Sequence, residues 1–250
     1  HKDPSLIAFF FDDFAKLGVM GSAASQGGYK TYQSGNTLIQ QCAACDNSEG
    51  EFGVLEIGTN DADNDEGSIE LGAGTSGLVR IDPTGGERAV VAFEARIKRT
   101  SVADDYTAFA FGIGQPGFCA NNALVDDTAV MVAAGKDFVG FQTLTASNDE
   151  IDTIYMIGGG ATVQVANNAA TSVADTWMKL GCVYDPLGKT NKKLMFFVDG
   201  VLLDDSVTDA IIAAGTTFPT DEEMTLVLLT KNGDVGNVAH EVYCDWWAVG

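Results

Sequence analysis

Positive charge is what this sequence has least of. Lysine and arginine number 14 against 35 aspartates and glutamates, giving a net charge of −21 at pH 7. Nucleic-acid binders neutralise phosphates with these cations, and their affinity tracks how many they bring. A chain this acidic repels a polyanion, so no nucleic-acid partner is expected. It repels an anionic membrane surface for the same reason. No apolar run nears the roughly 18 residues that a membrane helix needs. The best, "LIAFFF" at 6–11, stops at Asp12 and Asp13. The opening residues show no charged-then-apolar leader either. No membrane partner is expected. What the acidity supplies is solubility and resistance to non-specific association.

Histidine is almost missing, with only His1 and His240. Neither stands where a Ser-His-Asp or Cys-His arrangement would need it. The G-x-S-x-G nucleophile elbow is absent, as are the P-loop and the dinucleotide fingerprint. "GGG" at 158–160 joins two apolar runs and reads as a turn. The five cysteines are odd in number and mostly far apart. Cys182 and Cys244 lie in apolar runs, where a thiol acts as a small hydrophobe. Cys42 and Cys45 form a lone "CAAC". It lacks the second pair or nearby histidines of a zinc site and the βαβ context of a redox motif. These are read as unliganded thiols, with a local disulfide or metal as the alternative. No cofactor is expected.

What the chain does contain is short apolar or alternating runs punctuated by Gly, Asn and Asp. Examples are "GVLEIG" (53–58), "RAVVAFEARIKR" (88–99), "YTAFAFGIG" (106–114), "DFVGFQTL" (137–144), "WMKLGCVYD" (177–185) and "EVYCDWWAV" (241–249). Many short strands with turn chemistry between them indicate a sandwich or barrel. In "FEARIKR", Phe93, Ala95 and Ile97 share one face. Glu94, Arg96 and Lys98 share the other, as a solvated ladder of opposite charges. "KLMFFVDG" (193–200) is apolar nearly throughout, which suits a strand buried on both faces. Asp199-Gly200 reads as a hairpin turn, and "KNGD" (231–234) as another. "SVTDAIIAAG" (206–215) is the best helix candidate, with 121–135 next. One domain is expected over 1–250. The glycine-rich, polar region up to residue 50 is read as an extended arm or insertion.

The acidic stretch "NDADNDEG" (60–67) has the composition of a calcium loop. Counted from Asp61, Asp63 and Asp65 fall on ligand positions three and five. Position six is then Glu66 instead of Gly, and position twelve is Gly72 instead of Glu. The register fails, and a solvated turn between two strands is expected.

"WMKLGCVYDPLGKTNKKLMFFVDGVLL", with "FFFDDF" near the start and "DWWAV" at the end, resembles the concanavalin-A-like lectin/glucanase jelly rolls. Segments such as "DNDEGSIELG", "AFEARIKRTSVADD" and "FPTDEEMTLVLLTKNG" further resemble jelly-roll structural proteins of tailed bacteriophages. The fold so implied is an all-β, antiparallel two-sheet sandwich with its terminal strands paired. The function so implied is a non-enzymatic virion protein that decorates or cements the outer surface of a capsid. Its partners would be the major capsid protein and copies of itself, with a trimer favoured. A tail or fibre component and a glycan-binding, lectin-like module are the alternatives. Jelly-roll glucanases carry carboxylates at spacing two along one strand face, E-x-D-x-E. Glu49 and Glu51 lack a third member, and Glu241 and Asp245 stand too far apart. Glu94, Glu241 and Asp245 are accordingly expected to be dispensable for any activity, and no catalytic, cofactor or metal residue is assigned. For sugar binding the candidates are Trp177, Trp246 and Trp247. The last two alternate, so one is expected in the core and the other outside.

Overall fold

The computed structural model describes residues 10–15, 25–26, 28–35, 38–41, 53–60, 62–72, 74–83, 89–103, 107–120, 123–124, 135–144, 147–158, 160–220, 222–233 and 240–250. In chain order its strands are β1 (Phe10–Asp12), β2 (Ser25–Gln26), β3 (Tyr29–Gln33), β4 (Leu38–Gln41), β5 (Leu55–Gly58), β6 (Glu66–Leu71), β7 (Val79–Arg80), β8 (Val91–Arg99), β9 (Thr107–Gly114), β10 (Phe138–Leu144), β11 (Ser147–Met156), β12 (Val163–Thr171), β13 (Met178–Tyr184), β14 (Leu194–Val198), β15 (Val201–Val207), β16 (Glu223–Asn232) and β17 (Glu241–Val249). One short helix, α1, spans Asp209–Ala214.

The strands form two antiparallel sheets. The first runs β15-β14-β13-β8-β17-β5-β4, with β1 also paired to β17. The second runs β12-β11-β10-β9-β16-β6-β3-β2, with β7 paired to β16. The all-β, two-sheet expectation is met. The terminal strands pair as expected, with Phe10 opposite Val249 and Asp12 opposite Trp247. Within the first fifty residues, β3 adds to β6 and β4 adds to β5, so the described parts are woven into both sheets.

Alternation builds the core. On β8, Val91, Phe93, Ala95 and Ile97 are buried, while Ala92, Glu94, Arg96 and Lys98 lie between them, partly exposed. Their partners across the sandwich come from β9, β10 and β16. Phe93 meets Phe111 edge-on at 5.7 Å, and Phe196 meets Phe141 at 5.4 Å. Such pairs contribute beyond simple area burial. Trp247 is fully buried between Phe14 and Tyr29, at 5.3 and 5.7 Å. It therefore ties the last strand of the first sheet to β3 of the second. At one end of the interior, His240 sits between Thr59 and Thr230, whose hydroxyls lie 2.9 Å from its two ring nitrogens.

Two local expectations need correction. β14 is not buried on both faces: Leu194 and Phe196 enter the core, but Met195 and Phe197 remain partly exposed, because no described residue covers the outside of the first sheet there. The helix in 206–215 is only Asp209–Ala214, begun by the Thr208 hydroxyl and closed by Gly215 at φ 60°. The hairpin at Asp199-Gly200 does form. Both residues have positive φ, 50° and 78°, the backbone that a tight two-residue turn between twisted strands requires. Of the 231–234 turn, Lys231 and Asn232 still belong to β16, and Asp234 lies outside the described residues.

Candidate functional site

The two outward sheet faces differ. The outer face of the second sheet is covered by the segment that follows β9. Phe118, Ala123 and Leu124 pack there on Ala108, Ala110 and Phe138. Glu66, Ser68 and Glu70 stand on this face of β6 at spacing two, and all are buried. Glu70 accepts hydrogen bonds from the backbone of Gly117 (3.0 Å) and Cys119 (2.7 Å), and Glu66 accepts one from Ala123 (2.9 Å). Lys231, opposite Glu66 in register, donates to the Leu124 carbonyl at 3.1 Å. These charges fasten the covering segment down. Sequence reading missed this carboxylate ladder. It assigned Glu66 to the acidic turn, whereas β6 begins at Glu66; the Glu-x-Ser-x-Glu spacing was the available signal.

The turn before β6 does follow Asn and Asp chemistry. Asn60 accepts from the Ala62 amide at 2.8 Å, and Asn64 takes a left-handed φ of 63°. Asp63 is exposed and Asp65 is buried, so the two do not converge. Asp61, Cys42, Cys45, Glu49, Glu51 and His1 lie outside the described residues.

Among the described residues the outer face of the first sheet is left open, and it holds a groove of about 490 Å³. Phe11 and Trp246 form one wall, with ring centroids 6.0 Å apart and planes tilted by 31°. Phe197 stands on the opposite side. The floor is small: Ala92, Gly181 and Ala248. A Cβ at Gly181 would lie 3.2 Å from the Cγ of Glu94 and would crowd that side chain. Glu94 itself lines the groove.

The charged ladder expected on β8 does not form as drawn. Arg96 turns away from Glu94 and pairs with Asp245 at 2.7 Å. A register shift between Cys244 and Trp246 displaces β17 there and delivers Asp245 to that pairing. Arg96 also stacks on Trp177, its guanidinium carbon 4.5 Å from the ring centre. Lys98 lies 4.9 Å from the Trp177 ring and 5.1 Å from that of Tyr243. Among the described residues Glu94 is left with no hydrogen-bond or ion-pair partner. Trp177, Trp246 and Glu94 thus share one face. Trp247 belongs to the core, as the alternation of the last strand predicts. Glu241 lies farther along β17, opposite Gly58 of β5.

No family model and no curated protein matches the sequence. Solved structures do match the fold. The carbohydrate recognition domain of Emp47p superposes with a TM-score of 0.60 at 13% identity, covering 100% of this chain and 98% of that one. Peanut lectin in complex with a nine-residue peptide gives 0.55 at 14% identity, covering 97% and 96%. The catalytic domain of an endo-1,3-beta-glucanase, a laminarinase from Thermotoga petrophila, gives 0.57 at 12% identity, covering 96% and 95%. Nothing in these comparisons points to a bacteriophage particle. The exclusion of enzyme activity is overturned: a glucanase shares the architecture over nearly its whole length, so missing nucleophile and nucleotide motifs do not exclude glycosidase chemistry from this fold. The chain carries the lectin-like jelly-roll fold that concanavalin-A-like lectins and glucanases share.

Proposed function

We propose that this protein binds carbohydrate, and that the open groove of the first sheet is its site. The observation that carries the reading is the groove itself: Glu94, which has no partner among the described residues, stands between the aromatic side chains of Phe11, Trp246 and Phe197. An unengaged carboxylate in an open groove offers acceptor sites to a ligand's donors. Sugars bring such donors as hydroxyls around the ring edge. Their C–H faces meet aromatic rings, which accept an apolar body beside a polar rim. An apolar groove with one placed polar group is the usual form of a small-ligand site. The shared fold with a carbohydrate recognition domain supports the same class of ligand.

The test is a glycan array followed by calorimetry on the wild type and on Trp246→Ala. Stacking on one ring is worth about tenfold in affinity, and that loss is expected on removing Trp246 with the circular dichroism unchanged. Failure of the wild type to bind any glycan ends this reading. Binding that ignores Trp246→Ala places the site elsewhere.

A further inference from the structure

We infer that the groove takes an extended, uncharged, β-linked glycan, laid flat across the strands. This rests on the carbohydrate-binding reading above and adds the shape, length and charge of the ligand.

The argument starts from register. Phe197 pairs with Gly181, Gly181 with Glu94, Glu94 with Ala248 and Ala248 with Phe11. These five residues form one cross-strand row over β14, β13, β8, β17 and β1. Four inter-strand spacings at about 4.8 Å separate the terminal aromatic residues by about 19 Å. One pyranose ring cannot touch both. A chain of about four rings can, and its middle then lies over Glu94. Between the two ends the row has only Gly181 and Ala248 beside Glu94. That leaves a floor of small side chains with Glu94 at its middle.

Such a floor favours a ligand that is itself a ribbon. Pyranoses joined through equatorial β-1,4 bonds make one, with C–H faces exposed on both sides. An α-1,4-linked chain coils and would leave the floor after one or two rings. Charge narrows the class further. Among the described residues no lysine or arginine lines the groove. The nearest cation on the same strand face, Arg96, is engaged by Asp245 and Trp177. An anionic sugar would meet Glu94 at the middle of the row in a chain of net charge −21, with Lys179 one position beyond the row. Hydroxyls of a neutral chain instead donate to Glu94.

The experiment is calorimetric titration with glucose, with cello-oligosaccharides of two to six residues, and with maltotetraose. Affinity should climb from the disaccharide to the tetrasaccharide and then level off. Glucose and maltotetraose should bind at least about tenfold more weakly than cellotetraose, the loss of one ring contact or more. Phe197→Ala should remove the gain between the disaccharide and the tetrasaccharide. Its side chain lies on the outer face, and a melting curve verifies the fold. Equal affinity for glucose and cellotetraose would overturn the extended chain. Equal affinity for maltotetraose would overturn the ribbon, as would array binding confined to other linkages or to charged glycans. In those cases carbohydrate binding itself survives. Only a protein that binds no glycan at all sinks both.

Discussion

Glu94 and Arg96 lie two residues apart on one face of β8 and do not pair; Arg96 reaches across to Asp245 instead, at 2.7 Å. The bulged register of β17 selects this partner. Asp245→Asn should release the guanidinium toward Glu94. The ion pair is partly exposed, so its loss should cost less than about 1 kcal/mol in denaturant unfolding. Ligand affinity should fall, because Glu94 then gains a competing donor. Unchanged affinity in the variant would show that Glu94 takes no part in binding.

Glu94→Gln tests the same group from the other side. The fold should keep its melting temperature, since this carboxylate supports no hydrogen bond among the described residues. Affinity for a neutral glycan should drop several-fold, as a neutral acceptor gives a weaker bond than a charged one.

Trp246 and Trp247 are adjacent and should behave oppositely. Trp247 is fully buried against Phe14 and Tyr29, and Trp247→Ala should destabilise by about 3–5 kcal/mol. Trp246→Ala should unfold near the wild-type midpoint and lose ligand. Removing residues 241–250 takes out β17 itself, which lies between β8 on one side and β1 and β5 on the other. No soluble folded product is expected from that truncation.

Glu70 should control access to Cys119. Its two backbone hydrogen bonds hold the segment that covers the second sheet. Cys119 is buried, and burial pushes its thiol well up from the ordinary value, which keeps it unreactive. In Glu70→Ala one additional thiol should react with a water-soluble disulfide reagent, and peptide mapping should identify it as Cys119. An unchanged thiol count would mean that apolar packing alone holds the segment.

His240 makes stability depend on pH. Burial, with Arg99 nearby, lowers its pKa from 6.5 to about 3. The folded protein then leaves the ring neutral where the unfolded chain binds a proton. Its contribution is complete above pH 6.5 and is lost as pH falls from there toward 3, at up to about 1.4 kcal/mol per pH unit. His240→Gln should flatten that part of the curve. Denaturant unfolding between pH 4 and 7 measures it, and an identical slope in the variant would remove His240 from the account.

The sequence by itself determined the sandwich. The alternation of Phe93, Ala95 and Ile97 with Glu94, Arg96 and Lys98 reports one buried face directly, since side chains on a strand alternate with period two. The same rule separated Trp246 from Trp247, and the Asp199-Gly200 turn followed from local backbone chemistry. What only the tertiary structure decided was which outward faces stay open. The row of Phe197, Gly181, Glu94, Ala248 and Phe11 along the groove is assembled from five strands, so no local pattern announces it. Glu66 and Glu70 look like surface charges until the amides of Gly117, Cys119 and Ala123 are seen to donate to them. Phe197 looks like core until the outer face above it is seen to be uncovered by any described residue. Whether a face is covered depends on contacts far apart along the chain, and period-two patterning says which residues share a face without saying what lies upon it.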